Sequence, residues 1–323
     1  MEKIAVLTSG GDAPGMNACI RAVVRTGCYK ELKVYGVERG YQGLIDGMMV
    51  QMESRSVSNI IQRGGTIIKT ARCKAFETKE GRRLAFENIQ EKGIDGLIVI
   101  GGNGTYTGAK FFYEEFGIPI IGVPGTIDND LYGTDYTIGY DTAINTALDA
   151  IDKIRDTADS FDRTFFVEVM GRDAGYIALD VGLSGGAEAI LVPETHTDVD
   201  DLIAVLQKGW GRKKGSQLVV VAEGDDEGGV FEIVKKIKLK VPNLDPRMVV
   251  LGHVQRGGSP TARDRVLASR VGFAAVEALL EGKTNVAVGI VNDKIHYVPL
   301  KDAIEKKKSV NSNLLKLAEI LST

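Results

Sequence analysis

At 323 residues, with 40 basic side chains against 43 acidic ones and a net charge of −3, the chain has the length of about two ordinary domains. It lacks the broad positive field that nucleic acid or an anionic membrane would require. Its 44% hydrophobic and 26% charged residues suit a soluble globular protein with a large core, and no apolar run approaches the ~18 residues of a membrane span.

In chain order, the opening Met1-Glu-Lys before Ile-Ala-Val-Leu is too short and too acidic-flanked for a signal peptide. Cys19, Cys28 and Cys73 lack metal or redox spacing, and a cytoplasmic location is expected. Strand-like runs at Ile4–Leu7, Lys33–Val37, Leu97–Ile100, Ile118–Val123, Thr164–Val169, Ala189–Val192, Gln217–Ala222, Arg247–Leu251 and Val286–Ile290 alternate with helical patterns such as Arg82–Glu91, Thr142–Ala158, Val199–Gln207 and Ala262–Leu280. Such βαβα alternation predicts an α/β fold of doubly wound, mostly parallel sheets with helices on both faces. No repeat of roughly 20–50 residues suggests a solenoid. No Pro/Ser-rich linker marks a border, so two interleaved domains are expected. Glu223–Gly229 reads as the most loop-like interior stretch, and Lys306–Ser309 as a solvated charge run.

The 39 glycines gather at strand ends, and so does the chemistry. The first strand runs into Thr8-Ser-Gly-Gly-Asp-Ala-Pro-Gly-Met-Asn17 and then a helix; the third ends in Gly101-Gly-Asn-Gly-Thr-Tyr106, again opening a helix. Glycines let backbone N–H groups approach a phosphate, and a helix N-terminus favours negative charge. The second loop narrowly misses G-x-G-x-x-G, and no acidic residue suited to a ribose ends the second strand, which argues against a dinucleotide. A Walker A loop is absent: Gly282-Lys283-Thr284 has its tail, but Glu277 stands where its first glycine belongs. Gly282 reads instead as the end of the preceding helix.

The run Ile118–Val123 stops at Pro124-Gly-Thr-Ile-Asp-Asn-Asp130. In open α/β sheets ligands sit outside the carboxyl ends of strands. Asp128 and Asp130 there can accept a proton from a substrate hydroxyl and hold Mg²⁺ near a phosphate; the same residues can also merely build Asx-turns and cap the next helix. Arg247–Pro260 carries a strand, then His253, Gln255 and Arg256 among glycines, and Phe165–Asp173 places Gly171 and Arg172 at another strand end. Arginine forks bind phosphate oxygens in pairs. His253 reads as a structural histidine or, given Arg256 beside it, a ligand; His196 and His296 read as surface residues, and Arg163 as either surface charge or a ligand. Glycine loops, a carboxylate turn and scattered arginines together suit phosphoryl transfer, whose catalysis is largely positioning plus charge neutralisation.

These segments together resemble the bacterial ATP-dependent 6-phosphofructokinases. The matching stretches are Leu7–Asn17, Arg63-Gly-Gly-Thr66, Ala71-Arg72, Pro124–Asp130, Gly133–Gly139, Asp152–Thr157, Val169–Arg172 and Leu251–Pro260, in order from residue 4 to about 290. The resemblance implies ATP-dependent phosphorylation of fructose 6-phosphate to fructose 1,6-bisphosphate in glycolysis, by a homotetramer of interleaved domains. It places ATP on 1–138 with 251–301 and the sugar phosphate on 139–250 with 302–323. It makes Asp128 the base for the sugar 1-hydroxyl, sets Thr126 and Asp130 beside the transferring phosphate and Mg²⁺, and has Arg172 stabilise the developing charge. It gives ATP to Gly11, Tyr41, Arg72, Cys73, Gly102, Asn103, Gly104 and Thr105. Fructose 6-phosphate goes to Met170, Gly171, Glu223, His253 and Arg256, with Arg163 and Arg247 reaching its phosphate from a neighbouring subunit. Gly104 and Gly125 are expected to leave room for a nucleotide, because pyrophosphate-dependent relatives put Asp and Lys there.

Arg21, Arg25, Arg155, Gly186, Glu188, Arg212 and Lys214 match an effector site for ADP or phosphoenolpyruvate. Ser54 stands where better-known members carry Arg, with Arg55 beside it, and Asn59 where Asp is common. Asn103 replaces the usual metal-site Asp, and Glu77 a basic residue often found near the phosphates. An amide can ligate a metal but brings no charge, so the alternative reading is a catalytically weakened regulatory or binding subunit. Asn103 can also be read as a residue chosen for a left-handed turn.

Overall fold

The computed structural model describes residues 1–211 and 215–321 of the chain. Along it run β1 (Lys3–Thr8), α1 (Met16–Tyr29), β2 (Lys33–Val37), α2 (Gly40–Ile45), β3 (Met49–Met52), α3 (Lys79–Lys92), β4 (Gly96–Gly101), α4 (Asn103–Phe116), β5 (Ile120–Pro124) and α5 (Tyr140–Asp159). There follow β6 (Thr164–Val169), α6 (Tyr176–Ser184), β7 (Ala189–Leu191), α7 (Val199–Gly211), β8 (Gln217–Ala222), α8 (Val230–Lys240) and β9 (Arg247–Val250). The chain ends with α9 (Ala262–Leu280), β10 (Val286–Val291), β11 (Lys294–Pro299), α10 (Leu300–Glu305) and α11 (Ser312–Leu321). No helix among the described residues is long and apolar enough to cross a membrane.

Two compact units result. The first comprises Met1–Ile127, Leu131–Thr142 and Arg256–Lys308, and the second Asp128–Asp130, Ala143–Gln255 and Ser309–Thr323. The first returns at Arg256 and runs on to Lys308, where 251 and 301 were expected; β10 and β11 add two strands to its sheet.

The first unit holds a seven-stranded sheet ordered β11-β10-β5-β4-β1-β2-β3. Its centre is parallel, with Val6 of β1 beside both Gly36 and Ile98. β4 reads Gly-Leu-Ile-Val-Ile-Gly and is buried throughout, as a central parallel strand covered on both faces must be. Tyr41, Phe76 and Phe112 form an aromatic chain in its core, with the half-buried Phe86 and Phe116 packed against it; fully burying a side chain of this size contributes about 1.5–3 kcal/mol.

β3 and β11, both antiparallel edges, were not expected from the sequence. β3 is four residues long, too short for its alternation to stand out. β11 follows β10 through Asn292 and Asp293, both with positive φ, the two-residue turn whose twist suits a hairpin; Asn-Asp before a polar-apolar alternation was the overlooked signal.

The second unit holds a parallel four-stranded sheet ordered β7-β8-β6-β9. Phe166, Val219 and Val221 meet Leu206, Ile233 and Ile237 in its core. The loop Glu223–Gly229 and the exposed run at 306 and 307 match expectation.

Candidate active site

In the first unit the glycine loop after β1 is fixed by its neighbours' side chains. Asn17 is buried; its amide donates to the carbonyls of Arg63 (3.0 Å) and Gly64 (3.1 Å) and its Oδ1 accepts from the Ile67 N–H (2.8 Å). The Thr70 hydroxyl donates to the Gly10 carbonyl (2.8 Å). These bonds sew residues 63–70 to the loop, and Arg72 emerges exposed two residues later. Gly11 lies against the Arg256 guanidinium: a Cβ would sit 2.6 Å from Nη1 and would have to push that side chain aside. Arg256 donates to the Asp12 carbonyl (3.2 Å), so this arginine belongs to the same unit as the first glycine loop.

β4 ends at Gly101, and Gly102 caps α4. The Thr105 hydroxyl donates to the Ser9 carbonyl (3.0 Å), and the Tyr41 hydroxyl donates to the Thr105 carbonyl (2.6 Å). Tyr41 stacks on Phe76 with ring centroids 4.0 Å apart. The Cys73 thiol donates to Gln42 Oε1 at 3.1 Å. Burial pushes both the Tyr41 phenol and the Cys73 thiol above their ordinary pKa values, so each stays protonated as a neutral lining group. Glu77 ends a short 3₁₀ turn from Lys74, and its carbonyl accepts from Arg82 (2.8 Å).

Asn103 opens α4 in helical conformation, which removes the left-handed-turn explanation for it. Gly104 is exposed, and a Cβ there would meet nothing within 4 Å. Gly125 differs from expectation: a Cβ would lie 2.7 Å from Ile100 Cγ2 and 3.1 Å from Met16 Cε. Close packing therefore fixes glycine at 125, and only 104 opens onto free space.

Thr126 follows, buried, its carbonyl accepting from the Thr137 hydroxyl (2.6 Å) while the Ile138 N–H donates to the Pro124 carbonyl (2.8 Å). Asp264, fully buried, accepts from the N–H groups of Gly139 and Thr142 and from the Thr142 hydroxyl. Asn17, Thr137 and Asp264 were missed as site-building residues. Thr261-x-x-Asp264 is a capping signature, and the Thr261 hydroxyl does accept from the Asp264 N–H (3.2 Å). Nothing in the sequence marked Asn17 or Thr137 as buried.

In the second unit Asp128 is 5% exposed. Arg172 Nε stands 3.8 Å from Asp128 Oδ2, with 59% of the arginine side chain exposed. The N–H groups of Gly171 and Arg172 both donate to Glu223 Oε1, and Met170 is buried beside them in sequence. Asp128, Gly171, Arg172 and Glu223 are thus brought together. Arg163 lies over the Phe161 ring (4.3 Å), Arg247 pairs with Asp245 (2.9 Å), and His253 is exposed. Among the described residues no group of three His, Cys, Asp or Glu could hold a metal by itself. Mg²⁺ at a nucleotide takes one or two protein oxygens plus phosphates and water, and the Asn103 amide in the first unit and the Asp130 carboxylate in the second each offer an oxygen of that kind.

Of the effector residues, Arg21 and Arg25 lie on α1, where burial and the neighbouring Arg25 lower the Arg21 pKa. Arg55 is exposed. In the second unit Arg155 Nε donates to the Gly185 carbonyl (2.7 Å) and its Nη2 to the Gly186 carbonyl. Glu188 is buried and accepts from the Leu218 N–H (2.5 Å). Arg212 and Lys214 lie outside the described residues.

A family model described as Phosphofructokinase matches residues 3–279. A curated protein of Cytophaga hutchinsonii named ATP-dependent 6-phosphofructokinase is 59% identical over 322 residues, spanning 100% of this chain and 98% of that one. One of the same name from Thermus thermophilus is 56% identical over 322 residues and 100% of both chains. Among solved structures, phosphofructokinase from Saccharomyces cerevisiae matches with a TM-score of 0.90 and 38% identity, over 100% of this chain and 48% of that longer one.

Proposed function

The chain belongs to the phosphofructokinase family, and from that membership we infer that it transfers the γ-phosphoryl group of ATP to the 1-hydroxyl of fructose 6-phosphate, the glycolytic step that yields fructose 1,6-bisphosphate. The observation that carries the mechanism is Asp128: a carboxylate 5% exposed, with Arg172 Nε 3.8 Å from its Oδ2. Asp128 takes the hydroxyl proton as the sugar oxygen bonds to the γ-phosphorus and the bond from phosphorus to the ADP oxygen breaks. The Arg172 guanidinium stabilises the charge spread over the transferring group.

ATP is held by the glycine loops, the N-terminus of α4, Tyr41, Arg72, Cys73 and Gly102–Thr105, with Gly104 giving the nucleotide room. Thr126 lines the transferring group. Asp130 and Asn103 would hold Mg²⁺, which would supply neutralisation of phosphate charge. Met170, Gly171, Glu223, His253 and Arg256 hold the sugar phosphate. In a homotetramer, Arg163 and Arg247 reach the phosphate in a neighbouring subunit. Arg21, Arg25, Arg55, Arg155, Gly186 and Glu188, with Arg212 and Lys214, take ADP or phosphoenolpyruvate as effector. The enzyme works in the cytoplasm.

A coupled assay on the purified chain tests this. Turnover of fructose 6-phosphate with ATP and Mg²⁺, and none with pyrophosphate, is expected. A pyrophosphate rate equal to the ATP rate would overturn the donor assignment, and no turnover with either would overturn the reaction.

A further inference from the structure

Arg172 sits in the left-handed region at φ +52, directly after Gly171 at φ +145. An L-residue avoids that region because its Cβ crowds the following carbonyl, and arginine has no short polar side chain to offset this. Glu223, just beyond β8, supplies the hold. Its Oε1 accepts from the Gly171 N–H (3.2 Å) and the Arg172 N–H (2.7 Å). Successive N–H groups converging on one anionic oxygen form a nest. The surrounding backbone is interlocked as well. The Glu223 N–H donates to the Val169 carbonyl (3.0 Å), a Cβ on Gly224 would lie 2.0 Å from the Arg172 carbonyl, and one on Gly171 2.4 Å from the Ala174 carbonyl. Beyond the nest, 59% of the Arg172 side chain is exposed. Packing therefore does little to aim this guanidinium, and its backbone does most.

We propose that Glu223 is a positioning residue for Arg172: its carboxylate fixes the left-handed Gly171–Arg172 nest from which the guanidinium reaches Asp128. This rests on the phosphoryl-transfer reading above and deepens it, since there Glu223 only grips the sugar. The nest uses Oε1, and Oε2 remains to meet a sugar hydroxyl. One carboxylate then ties occupation by the sugar to the aim of the arginine.

A double-mutant cycle combined with amide exchange tests the proposal. Glu223→Ala should lower kcat by roughly 10–100-fold. In an Arg172→Ala background the same change should lower kcat by less than about threefold, because its route through Arg172 is already gone. Losses that simply add overturn the proposal, as does a change confined to the KM for fructose 6-phosphate. Independently of turnover, exchange of the Gly171 and Arg172 amides should speed up roughly tenfold or more in the variant while the melting temperature stays near wild type; unchanged exchange also overturns it. Should Glu223→Ala fail to fold, Glu223→Gln keeps an acceptor oxygen without the charge. Its losses should be smaller and its amide exchange intermediate, and wild-type exchange with impaired kcat would count against the nest. The exchange experiment needs no activity, so a wrong reaction and a wrong positioning role give different results.

Discussion

The residues given to ATP and those given to the sugar phosphate are held in different ways. In the first unit they hang from side chains that bond backbone: Asn17 to residues 63–67, Thr70 to Gly10, Thr105 to Ser9, Tyr41 to Thr105 and Thr137 to Thr126. Each such bond is worth about 0.5–1.5 kcal/mol net, and together they tie the loops into one framework. Among the residues given to the sugar phosphate in the second unit, Gly171 and Arg172 are held in this way, through the Glu223 carboxylate. Arg163, Arg247 and His253 have local contacts or exposed side chains. A framework tied together by its own bonds suits positioning of a reactive phosphate, whereas the exposed Arg247 side chain is aimed little by packing.

The contrast breaks most visibly at Asp128, where Asp128→Asn keeps size and hydrogen bonding but removes proton acceptance. Its kcat should fall by roughly 10²–10⁴ with modest change in sugar-phosphate affinity. Near-wild-type turnover would remove Asp128 from the role of base and leave only its turn-building function.

A smaller effect is expected at Asn103, on the nucleotide side. Because Asn103 is already helical at the start of α4, Asn103→Asp changes charge with little demand on conformation. A hard cation prefers a charged oxygen, and a charged hydrogen bond sets the scale at about 1.5–3 kcal/mol, or roughly 10–100-fold. The substitution should raise kcat or lower the Mg²⁺ requirement by that order. Superimposable Mg²⁺ titrations for the two forms would show that position 103 contributes nothing to the metal.

Two glycines sharpen the comparison further. Gly125→Ala forces a Cβ to 2.7 Å from Ile100 Cγ2 and 3.2 Å from the Gly101 backbone nitrogen, an overpacking that should cost about 1–3 kcal/mol of stability. Gly104→Ala meets open space, so its melting temperature should hold or rise slightly while the KM for ATP increases. Equal melting temperatures for both variants would mean that the packing around Gly125 relaxes freely.

Much of this was legible before the structure. Buried parallel strands such as Leu97–Ile100 announce themselves as unbroken apolar runs, and their glycine-rich ends mark where ligands sit. Asp128, Arg172 and the two glycine loops could be named because their chemistry is written in residue type and position. What stayed hidden depends on burial and long-range contact. Nothing local separates Asn17 from a surface asparagine, or Thr137 from any other threonine of its segment; each matters because of partners 46 and 11 residues away. Gly125 misled for the same reason, since a glycine required by packing and one required by a ligand look alike in sequence.

The smallest expected effect lies on the loops beside Glu223. His196 Nδ1 stands 2.6 Å from Asp226 Oδ2, and Asp226 Oδ1 accepts from the Thr197 N–H (3.1 Å). The hydrogen bond and charge of Asp226, with Glu227 and Asp198 nearby, raise the imidazole above its ordinary pKa of 6.5, while His196 and the Thr197 N–H lower Asp226 below its ordinary 3.8. The signs follow by linkage. The histidine's contribution is complete below about pH 6.5 and is lost as pH rises through its raised folded value. The aspartate's is complete above about pH 4 and is lost as pH falls through its depressed folded value. Both hold together between those limits. The pair is solvent-exposed, so screening keeps its effect small. The melting-temperature difference between the wild type and His196→Ala should be greatest near pH 5.5 and shrink by pH 8.5. A difference that stays flat across that range would mean the imidazole contributes through contact alone, and a ring titration centred at or below 6.5 would refute the ion pair itself.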